Sequence, residues 1–172
     1  MMPKKKRTVK ARMDADWVVA MELQGWARRE ALTRARTAIA RWGLVMPKCR
    51  PIPLHFGLND FERIGEVEYW IVNDLVNHYC GKFLFLFENQ RCPRHHHMMK
   101  DETFFIVRGA VEMEAGRKRF RMQPGATFKM KPKVDHTFRA IGGPALVLEV
   151  SLPSVPHDNI FEDHRIGKDG II

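Results

Sequence analysis

From residue 65 to residue 152 the chain is cut into short apolar or alternating segments, each closed by a turn signal. GEVEYWIV (65–72) runs into Asn73-Asp74, KFLFLF (82–87) is densely apolar, and TFFIV (103–107) ends at Gly109. The segment 110–114 alternates up to Ala115-Gly116, 118–122 leads to Pro124-Gly125, and 127–130 runs to Pro132. The segment 136–140 then stops at Gly142-Gly143-Pro144, and ALVLEVSL (145–152) closes the series. Strands this short and this regularly punctuated pair in antiparallel order, because a parallel sheet needs a long crossover between successive strands. The expected class is mainly β, a barrel or sandwich without βαβ units.

A different pattern precedes the strands. Ala27, Ala31, Ala35, Ile39 and Trp42 recur at spacings of four and three with arginines between them, and Gly43 stands where a C-terminal cap belongs. An amphipathic helix over 16–42 is expected, packed on the domain. Pro47, Pro51 and Pro53 then make 46–58 an extended linker over the surface. The expected organisation is a disordered basic leader (1–15), a helical extension with a proline-rich linker (16–58), and a β domain with a C-terminal tail (59–172). A chain of 172 residues suits one such domain.

The net charge of +9 raises anionic partners, but Lys4, Lys5, Lys6, Arg7, Lys10 and Arg12 crowd its start. PKKKR (3–7) has the composition of a nuclear import signal, yet short basic runs match that pattern by chance, and a solvated leader is the reading adopted. No nucleic acid is expected as a partner. No apolar run approaches membrane-spanning length, and no secretory leader is evident. Cys49, Cys80 and Cys92 form no CxxC pair, which fits a reducing cytoplasm better than a disulfide framework.

The stretch RHHHMMKDE (94–102) carries the chemistry. Alternate side chains of a strand share a face, so His95 and His97 converge while His96 points away. Glu102 follows after a short turn, where its carboxylate can swing back over the same point, and His136 opens a later strand. Three imidazoles and one carboxylate leave positions open around a divalent ion, as catalysis requires. His96, His157 and His164 are not expected to be ligands.

From His95 the chain reads HxH, four residues, Glu102, six residues, Gly109, and this resembles the first motif of the cupin superfamily. Pro124-Gly125 followed by KPKVDHTF, with Pro132 and His136, resembles the second motif. Two positions depart from the pattern: Asn89 replaces a glycine six residues before the first histidine, and Lys133 replaces a small residue before His136. More closely, FGLNDFERIG (56–65), YCGKFLFLF (79–87), CPRHHHMMKDETFFIVRG (92–109) and SVPHDNIFEDHRIG (154–167) resemble the D-lyxose ketol-isomerases, a cupin sugar isomerase family. The resemblance implies a cupin barrel (a double-stranded β-helix, or jelly roll) with an N-terminal α-helical extension. It also implies metal ligands at His95, His97, Glu102 and His136, and a divalent metal, Mn2+ ahead of Fe2+, Co2+, Ni2+ or Zn2+. A homodimer acting on D-lyxose, or on a related sugar such as D-mannose, is the expected form.

An aldose–ketose interconversion moves hydrogen between C1 and C2, so a base must lift and return it. Glu149, the only charge in ALVLEVSL, is the candidate, with burial expected to raise its pKa. The alternative is a buried structural carboxylate paired with a lysine or arginine. Lys100, in the turn between two ligands, is a candidate proton donor, or simply a solvated loop lysine. Lys82, the lone charge at the head of KFLFLF, is expected to point inward, and Asp163 and Arg165 to bond distal sugar hydroxyls if the tail covers the mouth. The same ligand set would serve an iron-dependent cupin oxygenase, and a non-catalytic sugar-binding cupin is a further alternative. A phosphorylated or acidic substrate would use the positive charge.

Overall fold

The computed structural model describes residues 20–155 and 157–172, so the basic leader, the import-like PKKKR and the expected helix start near Asp16 lie outside the described residues. Among the described residues, helix α1 (Gly25–Arg41) precedes eleven strands. They are β1 (Ile52–Leu54), β2 (Glu66–Asp74), β3 (Tyr79–Leu86), β4 (His95–His97), β5 (Glu102–Arg108) and β6 (Val111–Ala115). Then come β7 (Lys118–Met122), β8 (Thr127–Met130), β9 (His136–Ala140), β10 (Ala145–Ser151) and β11 (Asn159–Phe161). They form two antiparallel sheets, ordered β1-β2-β3-β10-β5-β8 and β11-β4-β9-β6-β7. These sheets are the two walls of a jelly roll, with the expected strands present within a few residues of their sequence bounds.

The expected helix is interrupted within the described residues: Ala20 and Met21 are helical, residues 22–24 are not, and α1 starts at Gly25. The break comes where the chain runs beside the proline segment: Leu23 N–H donates to the Pro53 carbonyl, His55 N–H to that of Met21, and Glu22 bridges Leu54. Backbone donors committed to that pairing are lost to a helix. Ala31, Leu32, Ala35 and Ile39 form the buried stripe, whereas Ala27 is exposed. The stripe packs on Val67, Tyr69, Phe85 and Leu146, the outward face of β2, β3 and β10. The proline segment is likewise more than a surface linker. Its residues 52–54 are the edge strand β1, where Pro53 is tolerated, and Leu54 and Phe56 are buried.

The polar end of the cup is written strand by strand. Inward residues run Lys82, Leu84, Leu86 on β3; Glu102, Phe104, Ile106 on β5; His136, Phe138, Ala140 on β9; and Glu149, Val147, Ala145 read backwards along β10. Each strand therefore places one charged or ligating group at one end and apolar side chains below it. Leu84, Phe104, Ile106, Met113, Phe138 and Val147 fill the space between the sheets and close the floor.

Gly109, at the turn from β5 to β6, has φ +73°, and a Cβ there would stand 2.2 Å from the Pro144 carbonyl oxygen. Both the left-handed backbone and the backbone contact require glycine. Gly109→Ala is expected to destabilise the fold by about 3 kcal/mol, a fall in Tm of ~6–12 °C for a chain of this size. Thermal unfolding followed by circular dichroism checks this, and an unchanged Tm contradicts it.

Candidate active site

Strand β4 is three histidines long, with His95 and His97 buried and His96 turned out to Asp135, 2.9 Å away. Its pairing with β9 sets His95 opposite His136. One ring nitrogen of each of His95, His97 and His136 lies within 4.8 Å of the others. Their Nδ1 atoms are anchored to backbone carbonyls: His95 to Pro93 (2.8 Å), His97 to Asp158 (3.1 Å) and His136 to Val134 (2.9 Å). A carbonyl only accepts, so each Nδ1 carries the proton and each Nε2 presents a lone pair.

Glu102, first residue of β5, sets its two carboxylate oxygens 3.2 Å from His97 Nε2 and 3.2 Å from His136 Nε2. With those tautomers the facing atoms are all acceptors and cannot bond one another. His97 Nε2, His136 Nε2 and Glu102 Oε2 are indeed buried without a hydrogen-bond partner. Buried acceptors facing one another are costly, and a divalent cation between them removes the conflict. The residues present therefore fit a metal ion, with His95, His97, His136 and Glu102 as its holders. Burial, reinforced by His136 and His97, lowers His95 well below the usual histidine value. Glu102 is held well below the usual carboxylate value despite its burial, by the Lys100 ammonium beside it.

The turn between His97 and Glu102 is pinned from the C-terminal tail. The buried Asp158 carboxylate accepts from the backbone N–H groups of Met98 and Met99 (both 3.0 Å) and Lys100 (3.1 Å). Its own carbonyl takes His97 Nδ1. Both departures from the cupin pattern adopt left-handed backbone, at φ +64° for Asn89 and for Lys133. That explains the glycine and small residues usual there. The cost for a lysine, about 1 kcal/mol, is offset by its N–H donating to the His97 carbonyl at 2.7 Å.

A chain of alternating charges leads away from the ligands. Lys100 Nζ lies 2.7 Å from Glu102 and 2.6 Å from Glu149. Lys82 Nζ lies 3.5 Å from the other Glu149 oxygen and 2.6 Å from Glu68, which also accepts from Trp70 Nε1 at 2.8 Å. Ser151 Oγ donates to Glu149 at 3.0 Å. Lys82 thus points inward as expected, and Lys100 is buried, not a solvated loop lysine. The expected direction for Glu149 is reversed. Burial does push its pKa up, but Lys100 and Lys82 together outweigh burial and leave it below the usual carboxylate value. Both lysines are raised, since Glu149 and its neighbouring carboxylates overcome their own burial.

Asp163 and Arg165 are not brought to this place. They pair with each other at 2.6 Å on the surface, and neither lines the chamber of about 30 Å3 around the histidines. The tail does cover the mouth, through other residues: β11 pairs with β4, and the Phe161 ring stacks 5.2 Å from His95. A second chamber of about 70 Å3 shares Lys82 and Asn159 with the first, and an outer cleft of about 660 Å3 shares Met21, Phe56 and Ile172 with the second.

Sequence reasoning missed Glu66, Glu68, Asp158 and Asn159. The two glutamates carry a readable signal: GEVEYW places them at i and i+2 of a strand, on one face. Glu68 completes the charge chain. Glu66 lines the histidine chamber with its Oε2 unpartnered, and burial, with the charges of Glu68 and Glu149, pushes its pKa up to about 8.

Residues 85–151 match the family described as Cupin domain. A D-lyxose/D-mannose isomerase of Thermosediminibacter oceani is 31% identical over 138 residues, covering 64% of this chain and 75% of that protein. Among solved structures, Cellulomonas parahominis L-ribose isomerase with L-ribose superposes with a TM-score of 0.67 at 18% identity, covering 83% of this chain and 93% of that one. An L-ribose isomerase mutant from Acinetobacter sp. DL28, in complex with L-ribose, gives 0.66 at 17% identity, with 83% and 96% covered. At such identities the structural likeness speaks for the fold alone.

Proposed function

Because this chain belongs to the D-lyxose ketol-isomerase family of cupins, we propose that it interconverts D-lyxose and D-xylulose, and D-mannose and D-fructose, as a metal-dependent aldose–ketose isomerase. The observation that carries this reading is the ion-paired run Glu102–Lys100–Glu149, a base and a proton donor built against a cation site. A binding module has no need of that pair. Manganese is the ion the family resemblance implies, and a homodimer in the cytoplasm is the proposed form; the free thiols of Cys49, Cys80 and Cys92 support a reducing compartment. No helix among the described residues is long and apolar enough to cross a membrane.

When bound, a divalent cation supplies Lewis acidity that offsets negative charge developing on the C1 and C2 oxygens. The rest falls to the protein. Glu149 is ionised at neutral pH and takes the proton from one of the two carbons, returning it to the other. Lys100 donates to the sugar oxygen whose charge grows, leaving Glu149 as it turns. Phe104, Phe138 and Leu84 line the chamber and keep water from the carbanion-like intermediate. Lys82 and Lys100 are each already engaged by carboxylates, so the inner chambers offer no free lysine to a phosphate, which favours a neutral sugar. The inner chamber of about 30 Å3 is smaller than a sugar, so a sugar occupies it only together with the adjoining chamber of about 70 Å3 or as their walls part.

Incubating the manganese-loaded protein with a panel of aldoses in deuterated water tests the proposal. Ketose carrying solvent deuterium at the transferred carbon is the expected product. Ketose without deuterium would demote Glu149 in favour of a hydride shift or a shielded proton, and no turnover at full metal occupancy would remove the isomerase reading.

A further inference from the structure

Among the described residues, Glu66 is the one inward carboxylate that the charge chain does not use. Glu68, Glu102 and Glu149 each have a lysine within 2.7 Å. Glu66 is 3% exposed and lines the chamber beside His95, His97, Cys92 and Asn159, with Oε2 left without a partner. A buried polar oxygen is rarely left unsatisfied, because dehydrating it costs free energy that nothing then returns. It stands on β2, two strands across the sheet from Glu149 on β10 and four register positions further along it, yet both line the same chamber. The acid–base pair and Glu66 thus border one chamber from different strands, so a sugar held at the pair can present a hydroxyl to Glu66.

We infer that Glu66 is the specificity-determining residue of the chamber: its free carboxyl oxygen hydrogen-bonds a sugar hydroxyl away from the reacting carbons and so selects that hydroxyl's configuration. The inference rests on the isomerase reading and deepens it. A protonated carboxyl, which the raised pKa favours at neutral pH, both donates and accepts and suits a neutral hydroxyl. An ionised one would instead add a fourth buried negative charge to those of Glu68, Glu102 and Glu149.

The test compares wild type with Glu66→Gln and Glu66→Met in two assays. One measures kcat/KM on an accepted aldose and on its single-deoxy analogues. The other measures calorimetric binding of the unreactive pentitols ribitol, arabinitol and xylitol, which differ only in hydroxyl configuration. A site built to bond a hydroxyl rejects the analogue lacking it, so wild type is expected to disfavour one deoxy sugar by ~100-fold, and Glu66→Met to shrink that ratio to about threefold or less. Glu66→Gln, which keeps a donor and an acceptor, retains most of it. Folding is not expected to confuse the outcome, since Glu66→Met removes an unsatisfied group and leaves Tm unchanged or higher. A loss shared equally by every sugar and analogue, or no loss at all, overturns the assignment. If wild type turns over no aldose, the isomerase reading fails by itself and the pentitols decide: selective weakening of one configuration in Glu66→Met retains Glu66 as a sugar contact, and unchanged or absent pentitol binding removes it.

Discussion

Replacing Glu149 by glutamine is expected to lower kcat by about 10²–10⁴-fold, the usual loss when a positioned general base is removed, while the metal content of the protein is retained. Glutamine keeps the shape and cannot take a proton. The fold should survive the change, because Lys100 keeps Glu102 at 2.7 Å and Lys82 keeps Glu68 at 2.6 Å. The sign of the pKa shift matters for how the base works. Glu149 is buried, yet Lys100 and Lys82 hold it below its ordinary value of 4.5. The stability it contributes is therefore fully present above about pH 4.5 and is lost as pH falls through the lowered value, with no step near neutrality. A depressed pKa makes a poor base at rest, but Lys100 is shared. As the amine turns toward charge growing on the sugar oxygens, Glu149 loses its nearest cation and its proton affinity rises when the proton moves. Lys100→Met should accordingly be impaired as well, and the double variant should lose much less than the product of the two single losses. Wild-type kcat in metal-loaded Glu149→Gln would sink this account.

Removing one ligand should have an equally large and quite different effect. His136→Ala is expected to bring bound manganese and isomerase activity to background and to abolish the thermal shift that the ion gives wild type. That shift follows from mass action: at free ion about 1,000 times Kd, binding stabilises by ~4 kcal/mol, or ~8–16 °C in Tm for a chain of this size. The imidazole nitrogens facing Glu102 are acceptors opposed to an acceptor, so the metal-free site is strained and the ion relieves it. The metal-free protein should also weaken in mild acid. Burial, with His136 and His97, depresses His95 from 6.5, so the unfolded chain takes up protons first, and stability falls as pH drops below about 6.5 toward the lowered value. Calorimetric scans with and without manganese between pH 5 and 8 check both statements. A Tm indifferent to the ion, or a full metal shift in His136→Ala, contradicts them.

What the sequence determined by itself is whatever repeats with the period of a strand. Alternation separates His95 and His97 from His96, fixes Glu102 and His136 at strand starts, and grades each inner strand from a charged residue to apolar ones. The same rule would have exposed Glu66 and Glu68. Only the tertiary structure decided which charges meet. Glu149 finds Lys82 because β10 pairs with β3, and finds Lys100 because β10 also flanks β5. The turn before β5 is fixed by Asp158, some sixty residues on. Sheet order is a property of the whole chain, and a pKa reports the sum of burial and of charges that such order brings near. Burial of Glu149 alone would raise its pKa; the two lysines, distant in sequence, reverse the direction. Asp163 and Arg165, two residues apart, pair with each other, and neither lines the histidine chamber, although Arg165 borders the outer cleft.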